Sequence, residues 1–130
     1  MAKVVFFGKP GCAGNAQQEA VLRAAGHAVE RRDLLREPWT AERLRGFFGD
    51  RPVAAWFNRA APRIARGELR PETLDAEAAM ALLLAEPLLI RRPLLESGGR
   101  REVGFEPAVI EAWLGLAPAR EEVGEGCPHR

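Results

Sequence analysis

Val4-Val5-Phe6-Phe7-Gly8-Lys9-Pro10-Gly11-Cys12-Ala13-Gly14-Asn15 runs from a strand pattern, through a Gly/Pro turn, into a helix pattern that continues with Ala16-Gln17-Gln18-Glu19. Four consecutive apolar residues before a turn suit a central strand buried on both faces. Cys12 falls where the helix should begin. A helix N-terminus presents unpaired backbone N–H groups and roughly half a positive charge, and both stabilise a thiolate. A cysteine so placed can have its pKa drawn from about 8.5 into the range of roughly 3.5–7.5. Lys9 adds a positive charge on the same turn. The alternative is a buried structural cysteine, but strand, turn, cysteine and helix together favour a reactive or anion-facing thiol.

The 130 residues suffice for one domain with a core that needs no disulfide staples. A net charge of +1 gives no strong footprint for nucleic acid or membrane. Only Lys3 and Lys9 among the 19 basic residues are lysines, so a single arginine carries little weight by itself. Cys12 and Cys127 lie at opposite ends and form no secreted disulfide framework. No segment has the pattern of a signal peptide or the roughly 18 apolar residues of a membrane span. A soluble protein of the reducing cytoplasm is the expectation.

The helix after Cys12 should run to about Ala25, with Gln17, Val21 and Ala24 on one face and Gly26 as its left-handed cap. The polar, weakly alternating stretch from His27 to Asp33 suits an edge strand parallel to the first. His27 reads as an ordinary strand residue, not a ligand. Thr40 caps a helix with Ala41, Leu44 and Phe48 on one face. A second short helix places Val53, Trp56 and Phe57 at i, i+3, i+4. Asp75 caps a third, apolar nearly all round from Ala78 to Ala85 and so expected to be buried. Trp39, Trp56 and Phe57 at such spacings read as core. Beyond Pro87, Ser97-Gly98-Gly99-Arg100 is a hairpin turn, and Arg101, Val103 and Phe105 alternate on the returning strand. Pro107 opens a last helix with Val109, Ile110, Trp113 and Leu114 on its apolar face. The order β-α-β, helical insertion, β-β-α predicts an α/β thioredoxin-like fold with a four-stranded mixed sheet. It spans residues 1–116 and leaves 117–130 as a disordered tail. Cys12 would then lie at the carboxyl end of a central strand, where open α/β sheets place their sites.

Four segments carry a resemblance: Lys9-Pro10-Gly11-Cys12, Trp56-Phe57-Asn58-Arg59-Ala60-Ala61-Pro62, Leu88-Leu89-Ile90-Arg91-Arg92-Pro93-Leu94, and Val103-Gly104-Phe105. Over about residues 3–116 the chain resembles the arsenate reductase-like (ArsC/Spx) family, and more narrowly its nitrogenase-associated branch. The resemblance implies that Cys12 is a nucleophile toward arsenate, with the adduct resolved by glutathione and glutaredoxin. It implies that Arg92 binds the oxyanion just before a cis-proline, Pro93, with Arg59 as a second anion-binding arginine. Lys9 belongs to the same anion-facing turn. Arg92 and Arg59 are expected to point toward Cys12, and Arg91, because successive strand residues face opposite sides, to point elsewhere. A surface ion pair is the competing role for Arg59.

Two departures separate the chain from its relatives. The reductases carry a further arginine near the end of the last strand, where this chain has Phe105 in a Gly-Phe form similar to the Spx-type branch. The Cys-x-x-Cys switch of Spx is replaced by Cys12-Ala13-Gly14-Asn15, which holds one thiol. Two functions follow. One is monothiol, glutathione- or glutaredoxin-linked oxidoreductase chemistry at Cys12 on an oxyanion or mixed disulfide. It has no tightly bound cofactor or metal, and glutathione serves as co-substrate. The other is a regulatory or accessory binding protein with partners in nitrogen fixation, not binding nucleic acid directly and not in a membrane. Cys127-Pro128-His129 holds too few ligands for zinc. A tail thiol at about millimolar effective concentration would compete with glutathione without clearly winning, so the tail reads as a solvated end.

Overall fold

The computed structural model describes residues 2–115; the expectations for the tail and for Cys127 lie outside the described residues. Strand β1 (Lys3–Gly8) leads into helix α1 (Ala13–Ala24) and strand β2 (Ala28–Asp33). The insertion follows: α2 (Ala41–Phe48), α3 (Pro62–Ala65) and α4 (Ala76–Ala85), with 3-10 turns at Val53–Trp56, Pro71–Thr73 and Pro87–Leu89. Strands β3 (Leu94–Ser97) and β4 (Arg100–Val103) and helix α5 (Pro107–Leu114) close the fold.

The sheet has the order β2-β1-β3-β4, with β2 parallel to β1 and the other neighbours antiparallel. It is the four-stranded mixed sheet that the element order predicts. The apolar run of β1 has two partners in space. Val4 and Phe6 pack with Leu22, Leu95, Phe105 and Ile110, the side of α1 and α5. Phe7 packs on the other side with Leu44, Phe47, Phe48, Trp56, Leu83, Leu94 and Val103. Alternation along a strand buried on both faces requires this split. Gly98 and Gly99 both take positive φ, 59° and 83°, the two-residue turn that joins β3 to β4 without splaying them.

Four local expectations need correction. The buried face of α1 is Asn15, Gln18, Glu19 and Leu22, while Gln17 and Ala24 are exposed and Val21 is half-buried. Polar residues are tolerated there because they bond to one another, which hydropathy cannot register. Helix α4 buries Ala79, Met80 and Leu83 but exposes Ala78, Ala81 and Ala85; an alanine methyl offers little area, so its exposure costs little. Phe57 lies beyond the 3-10 turn and makes an isolated antiparallel bridge with Ile90, so the insertion is not wholly helical. Phe105 leaves the face of Val103, because Gly104 at φ 83° turns the chain toward the opposite core.

Helix α1 ends as expected. Gly26 (φ 92°) follows the last turn; its N–H donates to Arg23 O (2.9 Å) and that of His27 to Leu22 O (3.2 Å), a Schellman closure. The buried His27 is more than a strand residue. The Ala2 N–H donates to its Nδ1 (3.1 Å), and its Nε2 lies 2.8 Å from Gly115 O. A carbonyl only accepts, so Nε2 carries the proton, and the ring ties the start of β1 to the end of α5.

Candidate functional site

Cys12 is the N-cap residue of α1, with extended backbone (φ −81°, ψ 115°), and its Sγ accepts the Asn15 N–H at 3.4 Å. Its carbonyl takes the first helical bond, from Ala16 N at 3.0 Å. The sulfur thus occupies the place usually held by a serine or aspartate oxygen. The first turn of α1 has no acidic residue, so the positive end of the helix is left to the sulfur. Cys12 is buried, 4% exposed, and the structure holds it in disulfide form; its nucleophilic chemistry belongs to the reduced protein.

Asn15 anchors the loop. Its Oδ1 accepts the Lys9 N–H at 2.9 Å and its Nδ2 donates to Gln18 Oε1 at 2.9 Å. The position that would hold a second thiol in a Cys-x-x-Cys motif therefore pins the turn to the helix. Gly8 permits the approach: a Cβ there would lie 2.7 Å from Phe6 Cε1 and 2.9 Å from Asn15 Oδ1.

Beside the cysteine is a cleft of about 330 Å³ lined by Gly8, Lys9, Pro10, Cys12, Asn15, Ala16, Glu19, Arg31, Arg32 and Asp33. Lys9 stands in it as expected; the two β2 arginines were not expected. The parallel register sets Phe7 beside Arg32 and Gly8 beside Asp33, which carries the end of β2 alongside the Cys12 turn. Arg31 Nε bonds both oxygens of the buried Glu19 at 3.0 Å. Arg32 bonds Glu30 at 2.7 Å, and that contact raises its pKa above the ordinary arginine value. Nothing in the sequence short of the pairing register signals these neighbours.

Arg59 and Arg92 line a second cleft, of about 490 Å³, with Pro52, Ala54, Ala55, Phe57, Asn58, Ala60 and Arg91. Arg92 is 6% exposed, and burial lowers its pKa from the ordinary value. The Arg92–Pro93 peptide bond is cis. Since Leu94 pairs with Phe7, this bond lies abreast of Gly8, at the same end of the sheet as the Cys12 turn. Arg59 also makes a surface ion pair, to Glu72 at 2.8 Å. Arg91 is a correction. It lines the same cleft as Arg92, because both precede β3 in irregular chain where strand alternation does not apply. The structure thus places Cys12 with Lys9 in one cleft, and Arg59 with Arg91 and Arg92 in another, so the arginines expected to face Cys12 do not line its cleft. Among the described residues no three His, Cys, Asp or Glu side chains are placed to hold a metal ion, and no helix is long and apolar enough to cross a membrane.

Residues 12–113 match the model of the ArsC family. The chain is 52% identical over 128 residues to an uncharacterized 15.7 kDa protein in the draG 3′ region of Rhodospirillum rubrum, covering 98% of this chain and 90% of the relative. Among solved structures it is similar to an arsenate reductase (ArsC) related protein from Brucella melitensis, with TM-score 0.66, 31% identity, and 88% and 96% of the two chains covered. It also shares the fold of an arsenate reductase from Vibrio cholerae, with TM-score 0.70, 24% identity, and 87% and 98% covered.

Proposed function

Since this chain belongs to the ArsC family, we propose that it is a thiol oxidoreductase in which reduced Cys12 is the nucleophile and a tetrahedral oxyanion, of the arsenate type, the electrophile. The observation that carries this reading is the sulfur capping α1 at the carboxyl end of β1, the end of the sheet at which the cis Arg92–Pro93 bond also lies. A cap N–H and the helix dipole stabilise a thiolate, and arginine forks suit a planar or tetrahedral anion. The thiolate forms a sulfur–arsenic bond and water leaves. A glutathione thiolate then attacks the Cys12 sulfur; the S–S bond forms, and the S–As pair stays on arsenic, which departs as arsenite. A second thiol, from glutathione or glutaredoxin, attacks the mixed disulfide and returns the Cys12 thiol. Two thiols supply the two electrons, and glutathione is a co-substrate, not a bound cofactor. The reducing cytoplasm is the compartment where this cycle would run.

The test is arsenite production by the pre-reduced protein from arsenate, glutathione and glutaredoxin. Cys12→Ser should fall to the uncatalysed background, while Cys127→Ser should keep turnover. Background rates for wild type would reject arsenate as substrate. A second reading, an accessory protein of nitrogen fixation, is favoured by the 52% identical relative encoded beside draG. Full rescue of a gene deletion's nitrogen-fixation phenotype by Cys12→Ser would select it.

A further inference from the structure

The cleft beside Cys12 is built by two elements that meet at the edge of the sheet. Cys12, Ala16 and Glu19 stand at i, i+4 and i+7 and line it along one stripe of α1. The end of β2, an edge strand with β1 as its one sheet neighbour, forms the facing wall. In the parallel register Arg31 lies beside Phe6. Phe6 faces the core under α1 and α5, and Arg31 turns to the same side, where its Nε–H donates to both oxygens of Glu19 at 3.0 Å. Glu19 is buried, so this charge-assisted bond anchors the guanidinium. It uses one of five N–H donors, and 68% of the Arg31 side chain is exposed. The cation is thus anchored through Nε and open to solvent beyond it. Lys9 lines the sulfur end of the same cleft, and the floor between Cys12 and Glu19 is the exposed methyl of Ala16. Seven residues of helix rise roughly 10 Å, which sets the length of that floor. Cys12 is in disulfide form with the Asn15 N–H still on its Sγ at 3.4 Å, so a second sulfur bonds Sγ without displacing the cap.

We propose that this cleft is a carboxylate subsite for the thiol that forms a mixed disulfide with Cys12, and that Arg31 is the residue that selects it. The ligand class is a small peptide thiol with a carboxylate about one residue from its cysteine, a separation of about 3.5 Å plus the side chains; glutathione belongs to this class. The proposal rests on the reading of Cys12 as the nucleophile. In the exchange step the Cys12 thiolate attacks one sulfur of a disulfide; the new S–S bond forms as the old one breaks, and the other half leaves as a thiolate. Arg31 takes no part in the bond changes. It holds the carboxylate of the half that stays, and a guanidinium anchored before the ligand arrives loses little side-chain freedom in doing so.

The experiment uses the full-length, pre-reduced protein carrying Cys127→Ser, so that Cys12 is its one thiol. Mixed-disulfide formation is followed by intact-mass spectrometry with three disulfides: acidic oxidised glutathione, neutral hydroxyethyl disulfide and cationic cystamine. Each rate is divided by that of mercaptoethanol with the same disulfide, which removes intrinsic reactivity. On this scale oxidised glutathione should be preferred over hydroxyethyl disulfide, and the preference should shrink at high salt. Arg31→Gln should lower it about three- to fivefold, the scale of one exposed charge pair. Arg31→Lys should retain part of it, and Arg31→Glu should pass the preference to cystamine. If Arg31 is only the counter-ion of Glu19, its variants change all three rates together. That result, or no preference in the parent protein, would overturn the subsite and leave Cys12 as the nucleophile. A Cys12 that reacts with none of the three disulfides would overturn the nucleophile reading and the subsite with it.

Discussion

Asn15 is the residue on which the Cys12 turn depends most, because one side chain serves both the Lys9 N–H and Gln18. Asn15→Ala leaves a backbone donor and a buried amide oxygen without these bonds, and should cost about 1–3 kcal/mol in urea unfolding. Gly8→Ala reaches the same bond from the other side, pressing a methyl on Asn15 and Phe6; about 1–3 kcal/mol is expected for such overpacking. At the surface, the Arg59 hydrogen bond holds the Glu72 carboxyl below its ordinary pKa of 4.5. A depressed carboxylate contributes stability present above the unfolded value and lost as pH falls through the folded one. Glu72→Gln should therefore shallow the acid limb of the stability curve below about pH 4.5, slightly, since the pair is exposed. Cys12 and Lys9 were legible in the sequence because a turn and a helix start are local events. Arg31 and Arg32 were not, because only the β1–β2 register brings them to the cysteine.

Among the elements, helix starts were the most readable. Thr40 and Asp75 cap α2 and α4 as expected, accepting Arg43 N at 3.1 Å and Ala78 N at 2.7 Å. Thr40→Ala should lower stability by about 1 kcal/mol in chemical denaturation. The buried faces of helices were harder to read. In α1 the core side is a polar network, Asn15 with Gln18 and Glu19 with Arg31, so apolar periodicity pointed to the wrong residues. The chain before β3 is not a strand, so alternation does not separate Arg91 from Arg92, and both line one cleft. The two differences have one cause: side-chain direction follows from the backbone state, and a polar pattern does not report that state.

For the whole molecule, two cores sandwich a sheet whose first strand feeds both, and that arrangement was legible from element order. It also decides what Phe105 is for. The phenylalanine is 1% exposed against Leu22 and Ile110, so Phe105→Arg would bury a charge in hydrocarbon and would not rebuild a reductase-type anion site. Loss of cooperative unfolding, or a drop of about 3–5 kcal/mol, is the expected result, without any gain in arsenate turnover. The sandwich has the further effect of fixing β1 so that its carboxyl end sets Cys12 on the α1 N-terminus. The most direct test of that central claim is the rate of iodoacetamide alkylation of the pre-reduced protein as a function of pH, resolved by peptide mass spectrometry. Cys12 should react faster than Cys127 at neutral pH, and its rate should level off well below the ordinary thiol midpoint of about 8.5. A Cys12 rate that climbs through that midpoint like an ordinary thiol, and never exceeds that of Cys127, would contradict the account.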